Sequence, residues 1–237
     1  MTYAPLSGRT ALITGASRGI GAATAEALAK AGVHVILTAR TAGGLEEVEQ
    51  RIHEAGGTAT IAPLDLMDGD SIARLAAAVS SRWGALDILV LNAGMLGTLG
   101  PVTTIDAKEF GQVVGLNLMA QQALIAAFDP LLRKSAHGRL VALTSSVAET
   151  PRAYWGAYGA SKAALENLVA AYGEEVENIS SVRVAIVNPG ATATRMRAKA
   201  YPGEDPATLK TPAAAGEAIT RLLVEDFESG ARVTLAA

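Results

Sequence analysis

Short apolar runs alternate with stretches of helical periodicity along almost the whole chain. Seven runs read as strands: Ala11–Thr14, Val33–Thr38, Thr60–Leu64, Ile88–Leu91, Leu140–Thr144, Val182–Val187 and Arg232–Leu235. Most are continuous Val/Ile/Leu/Ala rather than alternating apolar and polar, which is the pattern of parallel strands covered on both faces. Between them lie six predicted helices: Gly19–Lys30, Leu45–Ala55, Ser71–Trp83, Asp106–Leu132, Ala157–Asn178 and Ala213–Phe227. In the second, Leu45, Val48 and Ile52 form a stripe at 3,4 spacing with Glu and Gln opposite. Strands alternating with helices predict an α/β fold with a doubly wound parallel sheet. Right-handed crossovers then put helices on both faces. One polar, Pro/Gly-rich stretch, Tyr201–Pro212, has the length and composition of a binding loop or lid.

Composition narrows the function. No repeat, low-complexity tract or linker divides the 237 residues, so residues 1–237 read as one domain. The chain is 50% hydrophobic and 18% charged, which excludes a disordered protein. A net charge of −3 offers no basic field to hold nucleic acid. The absence of cysteine removes disulfides, thiolate catalysis and Cys-ligated metal. His34, His53 and His137 are scattered without His-x-x-x-His spacing, so they read as structural and no metal is expected. The first nine residues lack the basic-then-apolar order of a signal peptide, and no apolar run approaches the ~18 residues of a membrane span. A soluble, cytoplasmic protein is the expectation.

The most informative local feature is Tyr158-Gly-Ala-Ser-Lys162, with Ser145 thirteen residues before the tyrosine. On a helix, positions i and i+4 share a face, so a phenol and an ammonium would look into one space. A cation about 4 Å away, at an effective dielectric of about 20, favours the phenolate by roughly 4 kcal/mol. That corresponds to about three pKa units, bringing the phenol to about 7. An acid tuned to working pH is what carbonyl reduction requires. A solvated helix face with an accidental pairing is the alternative.

A second feature follows the first strand. Thr14-Gly15-Ala16-Ser17-Arg18-Gly19-Ile20-Gly21 opens the first helix, and its spacing is Gly-x-x-x-Gly-x-Gly. Glycines there let backbone approach a pyrophosphate, while the helix N-terminus offers unpaired N–H groups and a positive dipole. The second strand ends at Thr38-Ala39-Arg40, where many NAD-binding sheets carry an acid for the ribose 2′-hydroxyl. Arg40 and Arg18, with no acid beside them, suit a 2′-phosphate instead. Each charge-assisted hydrogen bond contributes about 1.5–3 kcal/mol, so NADP should be preferred over NAD by at least about tenfold. Two solvated surface arginines are the alternative. Asp65, followed by Leu66, either accepts from the adenine amino group or caps the next helix. Asn92-Ala93-Gly94 ends the fourth strand, where small residues leave room for a cofactor at the carboxyl edge of the sheet.

Taken in order, Gly15-x-x-x-Gly19-x-Gly21, Asn92-Ala93-Gly94, Ser145, Tyr158-x-x-x-Lys162 and Pro189-Gly190 resemble the short-chain dehydrogenase/reductase family, from about Gly8 to Leu235. Length and glycine spacing look like its compact, single-domain branch. Trp155-Gly-Ala-Tyr158, Met196-Arg197 and Glu204-Asp205-Pro206 look like a bacterial branch of undefined substrate. The resemblance implies a Rossmann-type three-layer sandwich with a seven-stranded parallel sheet. It implies that Tyr158 is the acid/base, that Lys162 lowers its pKa and binds the nicotinamide ribose, and that Ser145 hydrogen-bonds the substrate oxygen. Asn117 matches the position that holds a relay water, and Thr192 and Thr194 match those that hold the nicotinamide carboxamide. Family members pair two long helices into dimers or tetramers, which here are residues 106–132 and 157–178. One departure is Leu235-Ala236-Ala237 in place of the usual Val-Asp-Gly-Gly after the last strand.

The expected function is hydride transfer between NADP(H) and a carbonyl/alcohol pair, with a small molecule as partner. Met95, Leu96, Leu99, Val147, Trp155, Met196 and Tyr201 are candidates for an apolar substrate pocket. Arg195 and Arg197 could attract an acidic substrate or be solvated loop charges. A non-catalytic NADP(H)-binding sensor and a purely structural module are the alternatives, and the presence of Tyr158, Lys162 and Ser145 argues against the sensor.

Overall fold

Seven strands pair in parallel in the order β3-β2-β1-β4-β5-β6-β7 in a computed structural model that describes residues 6–235. The strands are β1 Thr10–Thr14, β2 His34–Thr38, β3 Thr58–Ile61, β4 Ile88–Leu91, β5 Arg139–Leu143, β6 Arg183–Asn188 and β7 Ala231–Thr234. Nine α-helices accompany them among the described residues: α1 Gly19–Lys30, α2 Ala42–Glu54, α3 Gly69–Trp83, α4 Ala107–Val114, α5 Ala120–Lys134, α6 Ser146–Glu149, α7 Gly156–Glu177, α8 Arg195–Ala200 and α9 Pro212–Glu225. This is the expected Rossmann-type three-layer sandwich. Ala236 and Ala237, where the family tail would begin, lie outside the described residues, as do residues 1–5.

The continuous apolar strands feed two cores because successive side chains point to opposite faces. Ala11 and Ile13 of β1 join Leu28 of α1, Leu45 and Val48 of α2, and Ile219 and Leu223 of α9. Leu12, between them, joins Ile72 of α3, Phe128 of α5 and Val169 of α7 on the other side. Strand order reverses between β1 and β4, where Ala11–Ile13 of β1 pair with Ile88–Val90 of β4. The crevice outside the carboxyl ends of the strands at such a reversal is where open α/β sheets bind ligands. The loops after β1, β4 and β5 converge there.

Several elements differ from expectation. The third strand is Thr58–Ile61 rather than Thr60–Leu64, because its register with β2 ends at Leu37↔Ile61. The helix expected over Asp106–Leu132 is interrupted by a π-helical turn, Gly115–Met119. That turn forms because Asn117 is pulled inward to the backbone of Met95, while Gln121 Nε2 donates to the Leu116 carbonyl at 2.8 Å. Side chains thus satisfy backbone groups that a regular helix would pair. Helices α6 and α8 were not expected. The stretch Tyr201–Pro212 is tied down by a 3₁₀ turn at Pro206–Thr208 and by Lys210, whose Nζ donates to the carbonyls of Pro189 and Leu235. No helix among the described residues is long and apolar enough to cross a membrane.

Candidate active site

The glycine loop is shaped by β4. Thr14 Oγ1 accepts from the backbone N–H groups of Asn92 and Ala93 at 2.9 and 3.0 Å, and Asn92 Nδ2 donates to the Thr14 and Gly15 carbonyls at 2.8 and 3.3 Å. Asn92 therefore uses its amide to hold the loop against the strand end. Gly15 has φ +66°, and a Cβ there would meet Asn92 Nδ2 at 2.9 Å. A Cβ on Gly21 would collide with Asn92 Nδ2 and the Gly15 carbonyl. Both glycines are thus demanded by close backbone approach. Gly21→Ala should cost about 1–3 kcal/mol by overpacking. Urea denaturation checks it, and unchanged stability would mean that the loop relaxes freely.

Ser17, Arg18, Gly19 and Ile20 complete the loop and open α1, with Arg18 at the N-cap in extended conformation and without a side-chain cap. The guanidiniums of Arg18 and Arg40 are exposed and make no ion pair or side-chain hydrogen bond among the described residues. Two cations therefore stand free at the ends of the β1 and β2 loops. Asp65 is exposed, with Oδ1 accepting from Met67 N–H at 3.0 Å. It is not the helix cap: Asp68 caps α3 by accepting from Asp70 N–H. The cap alternative fails because α3 begins three residues later than an Asp65 cap would require. Leu66 is buried in the core beside it.

Helix α7 presents Tyr158 and Lys162 on one face, as their spacing predicts, and both are buried at 7% and 4% exposure. Ser145 faces the phenol from the end of β5, and its hydroxyl is not used to cap α6. Lys162 Nζ donates to the Leu143 carbonyl at 2.8 Å and lies 6.0 Å from the centre of the Tyr158 ring. The acidity differs from expectation. Burial pushes the Tyr158 phenol up to about 12, with only Ser145 opposing, rather than down to 7. Burial likewise pushes Lys162 down to about 8, against the pull of Glu166. Desolvation dominates here: the phenol is almost fully buried, and the ammonium, which donates to the Leu143 carbonyl, lies 6.0 Å from the ring centre.

Gly94 lies against this pair: a Cβ there would stand 3.2 Å from Asn117 Oδ1 and 3.7 Å from Lys162 Nζ. Asn117 is fully buried in the π turn and bonds Met95 N–H, the Met95 carbonyl and Ser161 Oγ at 2.8, 2.9 and 3.0 Å. Ser161 in turn donates to the Tyr158 carbonyl at 2.7 Å, so Asn117 braces the turn of α7 that carries the phenol.

After Pro189-Gly190, Thr192 is buried and its hydroxyl donates to the Gly190 carbonyl at 3.3 Å. Thr194 caps α8 by accepting from Arg197 N–H at 3.1 Å. Helix α8 closes over the phenol. Leu96, Val147 and Tyr158 form a small apolar cluster, with Leu99, Trp155 and Met196 packed on it. Trp155 stacks edge-on to Tyr158 and leans on Tyr201, with centroids 6.0 and 5.7 Å apart. Most of the predicted pocket residues are thereby brought together. Arg197 is committed to Glu204 at 2.6 Å and to the Tyr201 ring, while Arg195 is exposed. Lys199 Nζ donates to the Gly97 carbonyl, tying α8 to the loop after β4. Two recesses, of about 130 and 250 Å³, flank this cluster, and neither is lined by Tyr158.

Sequence reasoning missed Ser161, Gln121 and Glu166. Glu166 was within reach of it, since it continues the i, i+4 series from Tyr158 through Lys162. Among the described residues no three His, Cys, Asp or Glu side chains converge as a metal site.

Known proteins resemble this chain in sequence and fold. The family model described as short chain dehydrogenase matches residues 9–205. The uncharacterized oxidoreductase YciK of Escherichia coli is 39% identical over 220 residues, covering 90% of this chain and 86% of YciK. The structure of a short chain dehydrogenase from Shigella flexneri complexed with NADP is 36% identical at TM-score 0.93, covering 98% of each chain. Another, from Escherichia coli CFT073 and complexed with NADPH, is 36% identical at TM-score 0.93, covering 99% of each.

Proposed function

This chain belongs to the short-chain dehydrogenase/reductase family, an oxidoreductase family, and from that membership we propose that it transfers hydride between NADP(H) and a carbonyl/alcohol pair, with Tyr158 as acid/base. The observation that carries this reading is the buried face of α7, which sets Tyr158 and Lys162 against Ser145 beside a loop built for close backbone approach. The nicotinamide cofactor supplies the hydride when bound. Gly15, Gly19 and Gly21 admit the pyrophosphate, with Ser17 and Ile20 at the helix N-terminus contributing backbone. Arg18 and Arg40 take the 2′-phosphate. Asp65 and Leu66 border the adenine; Ala93 and Gly94 leave space for the ribose, which Lys162 and Tyr158 engage. Pro189, Gly190, Thr192 and Thr194 flank the carboxamide side.

In the reducing direction Tyr158 gives its proton to the substrate oxygen as the carbonyl carbon takes the hydride, and Ser145 holds that oxygen by a directed hydrogen bond. Reprotonation of the phenoxide passes along the Lys162 side toward Asn117. The burial of Tyr158 beside α8 would keep water from the reacting atoms. The apolar lining of Leu96, Val147, Trp155 and Met196 favours a carbonyl carried on an apolar body.

A panel of carbonyl compounds followed by NADPH absorbance, with NADH in parallel, tests the function. We expect turnover with NADPH on at least one apolar ketone or aldehyde; NADPH binding without turnover on any would favour a non-catalytic sensor. Arg40→Ala should weaken NADPH about tenfold or more while changing NADH less than about twofold. Equal losses for the two nucleotides would remove Arg40 from 2′-phosphate recognition. We further read the described residues as one catalytic unit located in the cytoplasm and paired through residues 106–132 and 157–178. Phe110 and Met119, 37% and 65% exposed on that surface, support the pairing.

A further inference from the structure

Two charged side chains are buried one turn apart on α7 beneath the phenol: Lys162 at 4% and Glu166 at 6% exposure. Three consecutive residues at the end of β5 receive this face. Ser145 meets Tyr158, the Leu143 carbonyl accepts from Lys162 Nζ at 2.8 Å, and Thr144 Oγ1 donates to Glu166 Oε1 at 2.5 Å. The other oxygen of Glu166 accepts from Arg232 Nη1 of β7, also at 2.5 Å. A buried carboxylate is costly unless its oxygens are paired, and here both are. Nothing in the hydride-transfer chemistry itself uses it.

Resting on the function proposed above, we propose that Glu166 is a positioning residue that acts through Lys162. Gripped by Thr144 and Arg232, it fixes the turn of α7 that presents the ammonium, and it supplies the negative charge that lets the ammonium persist as a cation inside the fold. The groups facing Lys162 are few. Tyr158 and Glu166 lie on its own helix and the Leu143 carbonyl of β5 accepts from it, while Thr144, just after β5, and Arg232 of β7 reach Glu166. Burial draws Lys162 down to about 8, and Glu166 is the charge that opposes it. Arg232, 48% exposed, partly cancels that carboxylate.

The two partners therefore have opposite consequences. Removing Glu166 should make Lys162 shed its proton at lower pH, and removing Arg232 should make it keep the proton to higher pH. NADPH affinity measured by fluorescence across about pH 6–10 reads this without any substrate, because the proposed contact of Lys162 with the nicotinamide ribose is stronger when the donor is charged. In the native protein, affinity should fall as pH rises through about 8. In Glu166→Gln that fall should begin about one pH unit lower, with affinity at about pH 6 within about twofold of the native value. In Arg232→Gln it should begin at higher pH by a fraction of a unit. The alkaline limb of kcat/KM for reduction should move with each.

A loss in Glu166→Gln that is the same at every pH would reduce the carboxylate to a packing role and overturn the proposal. So would shifts of the same sign in the two variants, or a native affinity independent of pH. If the pH signature appears but no carbonyl is reduced, the catalytic reading fails while the role of Glu166 stands.

Discussion

Tyr158→Phe should lower carbonyl reduction by about a hundredfold to ten-thousandfold, the contribution expected of a positioned general acid, while NADPH still binds. The substitution deletes one oxygen and keeps the ring. Packing against Leu96, Val147 and Trp155 therefore survives, and with it the fold of the site. The phenol is buried and raised to about 12, so at neutral pH it holds the proton that reduction consumes. The neighbouring hydroxyls are otherwise engaged: Ser145 bonds the phenol and is proposed to hold the substrate oxygen, and Ser161 donates to the Tyr158 carbonyl. NADPH consumption in single turnover, beside a fluorescence titration of NADPH, checks both halves. Native turnover by the variant would dismiss Tyr158 as the acid.

Lys162→Met should act in opposite directions on activity and on stability. Turnover should fall by about a hundredfold or more, as when a preorganised electrostatic partner is removed. The free protein should become more stable at neutral pH. Lys162 drops from 10.5 to about 8 on burial, which corresponds to about 3 kcal/mol of unfavourable charge burial. The native lysine releases its proton at about 8 and the unfolded one only at 10.5, so between these values the unfolded chain binds more protons. Native stability therefore rises with pH across that window, and below it the full cost is present. The methionine variant carries no such cost, although it leaves the Leu143 carbonyl unpaired at about 1–3 kcal/mol. The stability advantage of the variant should shrink by about 3 kcal/mol from pH 8 to 10.5 in urea titrations. A difference that does not vary with pH would show that the buried lysine is not strained by its charge.

Much of the architecture was legible because it is local. Unbroken apolar runs such as Val33–Thr38 announce strands covered on both faces, and β2 appears within one residue of that span. The face shared by Tyr158 and Lys162 follows from helical period alone. The glycine turn was readable from spacing, but its reason was not, since Gly21 is required by Asn92, seventy-one residues later in the chain. The π turn at Gly115–Met119 was invisible for the same cause: it depends on Asn117 reaching the backbone of Met95. Asp65 was left open between an adenine contact and the cap of α3, and only the place where the helix begins, after Asp68, removed the cap.

From sequence alone came the α/β class, the glycine turn and the candidate pair Tyr158 and Lys162, because strand and helix periods and motif spacings are properties of neighbouring residues. Tertiary structure decided how acidic that pair is and who supports it. Desolvation of Tyr158 and Lys162, and the grip of Thr144 and Arg232 on Glu166, arise from atoms that only folding brings within a few ångströms. A charge's free energy is set by what surrounds it in space, and periodicity along a chain carries no record of that.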